Sequence, residues 1–112
     1  MWRNPKLKPL SNNPEISAAE LQNRINNGEE VQVLDVREPI EYHTHNIGGI
    51  NIALSKLEVN FRQLSWNKTD EIIVICQAGL RSQTAQLILQ QNGYQNVRNL
   101  TGGLLALRRV KN

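Results

Sequence analysis

The fold class this sequence predicts is α/β: a central, mostly parallel sheet of about five strands with helices on both faces. Three observations lead there. The stretches Val31-Gln32-Val33-Leu34-Asp35-Val36 and Ile72-Ile73-Val74-Ile75 are short and rich in β-branched apolar residues, as strands covered on both faces are. Each is followed by a segment carrying helix start and stop signals, so strand and helix alternate along the chain. The 112 residues suffice for one core and not for two.

Residues 1–14 hold three prolines with asparagines and lysines and no periodicity, which predicts an irregular lead-in, read as a mobile tail in preference to one whose Trp2 and Leu10 pack onto the domain. The domain is expected over 15–108, with 109–112 as a tail. Glu15-Ile16 reads as a short edge strand. Ser17-Ala18-Ala19-Glu20 has capping-box spacing, so a helix should run through Leu21 and Ile25 and stop at Gly28. Val31–Val36 is a strand ending in the charged cluster Asp35-Val36-Arg37-Glu38, after which Pro39 at a first helical turn opens a short helix with Ile40, Glu41 and Tyr42. A loop from His43 to Gly49 leads to a short strand at Ile50-Asn51-Ile52. Ser55-Lys56-Leu57-Glu58 repeats the capping spacing and predicts a helix with Leu57, Phe61 and Leu64 on one face. A final strand at Asn96–Leu100 precedes Thr101-Gly102-Gly103 and a brief helix through Leu107.

The candidate site lies where the run Ile72–Ile75 stops. Cys76, the only cysteine, falls in the turn before a helix that continues through Ala85, Leu87, Ile88 and Leu89 and ends at Asn92-Gly93. The crevice outside a strand's carboxyl end receives the free N–H groups and positive dipole of the following helix, and these stabilise an anion. Gly79 permits a turn in which successive amides converge, Arg81 adds a positive charge, and Ser82 can cap the helix or turn its hydroxyl into the pocket. Cys76 is therefore expected to be largely thiolate at neutral pH, although a lone free cysteine also suits a plain core position. Asp35 at a buried strand end needs a partner, and Arg37 or loop amides can serve. His43 and His45 are spaced as metal ligands sometimes are. Without further Cys or His they are better read as a surface residue and a loop brace.

Composition narrows the function further. A single cysteine forms no internal disulfide and no Cys-rich metal cluster, so no metal is expected. The net charge of +3 is scattered, with Lys6, Lys8, Arg108, Arg109 and Lys111 near the ends, and no aromatic and basic platform for nucleic acid is visible. No apolar run is long enough for a bilayer and no signal-like segment leads the chain, so the expected location is the cytoplasm, with no membrane partner.

Taken together, Leu34-Asp35-Val36-Arg37-Glu38 with Glu41-Tyr42, His45 before Gly48, Cys76-Gln77-Ala78-Gly79-Leu80-Arg81-Ser82, and Gly93-Tyr94-Gln95-Asn96-Val97 before Leu100-Thr101-Gly102-Gly103 resemble the rhodanese (sulfurtransferase) family, most closely its stand-alone single-domain members. The resemblance spans about Ile16 to Leu107. It implies that Cys76 accepts sulfur from a small anionic donor such as thiosulfate, becomes a persulfide, and passes the sulfur to a thiol, cyanide or protein acceptor, with no cofactor. It further implies that the amides from Gln77 through Ala78, Gly79 and Leu80 to Arg81 cradle the anion, that Arg81 and Ser82 orient it or close the pocket, and that Asp35 and Arg37 support the loop, beside the brace already read at His45. The chain departs from the family pattern at His45-Asn46-Ile47-Gly48-Gly49, which lacks a turn-stiffening proline, and at Leu107, where an aromatic is usual. Two other readings stay open. One is a persulfide carrier or partner-binding module with little turnover. The other is a phosphatase or arsenate reductase, disfavoured because four residues separate Cys76 from Arg81 where a phosphate-sized loop has five.

Overall fold

The strand β4 (Glu71–Ile75) is the centre of the molecule, and its side chains alternate between two cores. Ile72, Val74 and Cys76 enter one core; Ile73 and Ile75 enter the other. A period of two in a run with no polar residue is what burial on both faces demands. Each of these side chains contributes about 1.5–3 kcal/mol by leaving water. The computed structural model describes residues 13–111, so the irregular lead-in expected over 1–14, with Trp2 and Leu10, lies almost wholly outside the described residues.

In chain order the elements are β1 (Glu15–Ile16), α1 (Ala18–Asn26), β2 (Val33–Asp35), α2 (Pro39–Thr44), β3 (Ile50–Asn51), α3 (Leu54–Asn60), a 3₁₀ turn (Phe61–Gln63), β4, α4 (Leu80–Gln91), β5 (Asn96–Leu100) and α5 (Gly103–Val110). Among the described residues they form one parallel sheet of five strands in the order β1-β5-β4-β2-β3. The fold class is α/β, as the alternation of strand and helix signals predicts.

Leu57 of α3 and Ala85 and Leu89 of α4 pack with Leu34, Val74 and Val97 on one face of the sheet, while Leu21 of α1 and Leu104 and Leu107 of α5 pack with Val33, Ile73 and Leu100 on the other. Leu107 fills its place in this second core at 4% exposure, without the usual aromatic. Ser17 caps α1 by accepting the Glu20 amide at 3.0 Å. The Glu20 carboxylate does not complete a box; it pairs with Arg98 on β5 and so ties α1 to the sheet. Ser55 makes no cap hydrogen bond, because the N-cap of α3 is Ala53, two residues earlier, and Ser55 lies inside the first turn. No helix among the described residues is long and apolar enough to cross a membrane.

Candidate active site

Three loops meet at the carboxyl end of the sheet's middle. Cys76 to Gly79 joins β4 to α4; on one side lies the loop from β2 to α2, on the other the turn from β5 to α5. β4 delivers Cys76 to the end of a fully buried run, where no ladder partner continues the strand. Gly79 then turns the chain into α4 with φ of 96°, a left-handed value that a side chain resists. Gly79, not Ser82, occupies the N-cap position, so the capping role open to Ser82 falls away. Ser82 sits in the first turn, fully buried, and faces the sulfur.

The Cys76 side chain is 1% exposed, yet its surroundings are polar. The amides of Gly79 and Ser82 donate to Sγ at 3.1 and 3.4 Å, and the Ser82 hydroxyl lies 3.3 Å away. Burial pushes the thiol up. The Ser82 hydroxyl and the amides of Ser82, Gly79 and Ala78 pull it down and outweigh burial, so the thiol lies below its ordinary value. The sulfur is thus packed under its neighbours, while the amides that follow it in sequence turn inward.

The β5–α5 turn braces the loop from below. Leu104 and Leu105 donate their amides to the carbonyls of Cys76 and Gln77 at 2.9 and 3.1 Å. This approach needs Gly103: a Cβ there would lie 2.5 Å from both carbonyl oxygens. The first turn of α5 therefore satisfies the carbonyls of the loop and leaves its amides free to face the sulfur.

On the other side, Asp35 and Arg37 form a buried pair. The Arg37 guanidinium meets Asp35 at 2.7, 3.0 and 3.1 Å, and the Arg37 amide adds a fourth contact at 3.1 Å. Arg37 also reaches the His45 carbonyl at 2.8 Å, so His45 meets it through its main chain while its imidazole is exposed. Asn46 occupies the turn that lacks a proline. Its side chain donates to the Tyr42 carbonyl at 2.9 Å and accepts the Gly48 amide at 2.8 Å, holding by hydrogen bonds what a pyrrolidine ring would hold covalently. His43 is exposed at the end of α2.

Arg81 differs most from expectation. Its guanidinium does not point at Cys76 as a free charge; it is paired at two points with Glu41 of α2. Arg81 and the Glu38 amide hold the Glu41 carboxyl down at about 2. Leu80 is 72% exposed beside it. A cavity of about 410 Å³ opens next to the loop, lined by Arg37, Ile40, Glu41, His45, Gln77 and Arg108.

A profile of the rhodanese-like domain matches residues 17–109. The chain belongs to the rhodanese-like family. It is 37% identical to the thiosulfate sulfurtransferase PspE of Escherichia coli, over 70% of this chain and 77% of that one. It is 35% identical to YrkF of Bacillus subtilis, for which a sulfur-carrier role is proposed; the match covers 81% of this chain but only 49% of YrkF, so this chain spans about half of that relative. Among solved structures, the rhodanese-like domain of the Anabaena protein Alr3790 superposes with a TM-score of 0.76 at 28% identity, covering 87% of this chain and 74% of that one.

Two residues of this arrangement are not singled out by sequence reasoning. Asn99, 1% exposed on β5, accepts the Ser82 hydroxyl, and Glu15 on β1 accepts the Asn99 amide at 3.1 Å. The signal is faint but present: Asn99 falls two residues after Val97, on a face that is otherwise apolar.

Proposed function

We propose that this rhodanese-like protein is a sulfurtransferase that carries sulfane sulfur on Cys76. The observation that carries the reading is the convergence of the Gly79 and Ser82 amides on a buried Sγ whose thiol is held below its ordinary value. The relatives named as a thiosulfate sulfurtransferase and as a proposed sulfur carrier support the same chemistry.

In the proposed cycle the Cys76 thiolate attacks the outer sulfur of thiosulfate. A new S–S bond forms at Cys76, the donor's S–S bond breaks, and its electron pair leaves with sulfite. The negative charge now rests on the outer persulfide sulfur. The amides of Ala78, Gly79 and Ser82 face the region where that charge develops, and Gln77, Leu80 and Arg81 shape the approach. A thiol, cyanide or protein nucleophile then takes the outer sulfur and returns Cys76 as thiolate. The Asp35–Arg37 pair and the His45 carbonyl steady the neighbouring loop. Electrons balance within the two steps, and no cofactor enters.

Incubation with thiosulfate, followed by intact-mass measurement, should add one sulfur atom to the wild type and none to Cys76→Ser. Cyanide should then discharge it as thiocyanate. A wild type that gains no sulfur, or a Cys76→Ser variant that gains as much, would sink the reading. The second reading, a persulfide carrier that turns over slowly, is favoured by one observation: with Arg81 tied to Glu41, a small anion meets little free charge in the loop. A stable added sulfur with negligible thiocyanate would select it.

A further inference from the structure

Ser82 has one hydroxyl hydrogen and two neighbours to receive it, the Cys76 sulfur and the Asn99 side-chain oxygen. Asn99 decides between them. Its amide nitrogen faces two groups that can only accept, the Glu15 carboxylate at 3.1 Å and the Gly79 carbonyl at 3.4 Å. The same Glu15 oxygen accepts the Thr101 hydroxyl at 2.8 Å, which holds the carboxylate in place. Flipping the amide would set its oxygen against both acceptors, so the oxygen must face Ser82, and an amide oxygen has no hydrogen to give. The Ser82 hydrogen therefore lies toward Asn99, and Ser82 offers lone pairs to the sulfur. A thiol accommodates lone pairs by donating its S–H; a thiolate cannot.

We propose that Asn99 is a positioning residue of the sulfur site, holding the Ser82 hydroxyl hydrogen away from Cys76 while Cys76 is a thiol and yielding it when the sulfur becomes an anion. The change needs only rotation about the Ser82 Cβ–Oγ bond. It breaks the bond to Asn99 as it makes the bond to sulfur, so Asn99 competes with the thiolate for its nearest side-chain donor. The backbone amides of Gly79 and Ser82 face the sulfur in either state. The charged groups around it are already committed: Arg81 to Glu41, Arg37 to Asp35, and Glu15 to Asn99 and Thr101. The Ser82 hydrogen is thus the movable element. The inference rests on the reading of Cys76 as the ionising sulfur and deepens it.

The test is the pH dependence of Cys76 alkylation by iodoacetamide in Asn99→Leu and Asn99→Ala, each with Ser82 present and with Ser82→Ala. With Ser82 present, removing the competing acceptor should lower the midpoint by about one unit, the effect of one hydrogen bond of ordinary net strength. With Ser82→Ala the same substitutions should leave the midpoint where Ser82→Ala alone puts it. An equal shift in both backgrounds, no shift, or a rise with Ser82 present overturns the proposal.

Because Asn99 is a core position whose replacement can unfold the chain, a second readout uses the wild type. The protein has one cysteine, so its infrared S–H band belongs to Cys76 alone. Below the midpoint that band should lie under the frequency of a free thiol and move up in Ser82→Ala. An identical band in the two proteins overturns the proposal. Neither readout uses a sulfur donor, so its failure is separate from failure of thiosulfate loading.

Discussion

Arg81 and Glu41 face each other in a two-point ion pair, Nη1 to Oε1 at 2.7 Å and Nη2 to Oε2 at 2.9 Å. The pair joins the first turn of α4 to α2, and so ties the Cys76 loop to the neighbouring element, whose Glu41 also lines the cavity. It also neutralises the cation that follows the sulfur in sequence. Two demands compete for Arg81, attraction of an anionic donor and attachment to α2, and the geometry favours attachment.

Glu41→Gln keeps the shape of the pair and removes its negative charge. Arg81 is then free to meet an anion, and KM for thiosulfate should fall roughly fivefold, equivalent to about 1 kcal/mol for a partly exposed charge. An unchanged or higher KM would show that Arg81 does not serve the donor even when released. Stability should drop by less than about 1 kcal/mol, since both side chains are about a third exposed and screened by solvent. The folded carboxyl is held at about 2, below its ordinary 4.5, so the stabilisation is fully present above 4.5 and lost as pH falls through about 2. The gap between wild type and Glu41→Gln in urea should close over that window.

Gly103→Ala should be strongly damaging although it adds only one methyl group, because Gly103 is buried at the start of α5. The added Cβ meets two backbone carbonyls at 2.5 Å, and φ is 64°, so neither rotamer change nor side-chain movement relieves it. The loop must move or α5 must tilt. A loss of roughly 2–4 kcal/mol is expected in denaturant melts, as for other incompatible glycine replacements. Alkylation of Cys76 should change its midpoint as well, because the loop carbonyls lose the amides of Leu104 and Leu105. A melt within about 0.5 kcal/mol of wild type would mean the turn is not tightly held.

These contacts also mark what the sequence makes legible. The strand, the turn at Gly79 and the helix after it follow from β-branched residues ending at Cys76-Gln77-Ala78-Gly79, because burial period and glycine freedom are local properties. The α3 start is a different matter. Ser55 has the spacing of a cap, but the chain enters the helix from Ala53, and Leu54 rather than Lys56 opens the first turn. Local spacing permits both starts; tertiary packing of Leu57 selects one. Asn99 and Glu15 stay hidden for a similar reason. An asparagine two positions beyond Val97 suits a turn, an edge or a core network equally well, and only the parallel register that sets Glu15 beside Asn99 and Asn99 beside Val74 brings both toward Ser82. Arg81 is visible as a cation, but its partner lies forty residues earlier, on a short helix whose docking no local rule predicts.

The buried pair of Asp35 and Arg37 invites the last prediction. Their side chains are 0% and 4% exposed, and Arg37 also holds the His45 carbonyl. Arg37→Met fills much of the same volume but leaves the Asp35 carboxylate buried with the Arg37 main-chain amide in place of a cation. Breaking such a pair from one side should cost about 3–5 kcal/mol, because the remaining charge keeps its desolvation penalty and loses its compensation. Replacing both, as Asp35→Leu with Arg37→Met, removes the penalty along with the pair, so the double variant should be more stable than the sum of the two single losses by at least about 2 kcal/mol. Urea melts of the four proteins measure that coupling directly. Additive losses would mean that Asp35 is held by the Arg37 amide and not by the guanidinium, and the pair would then be no brace for the loop beside Cys76.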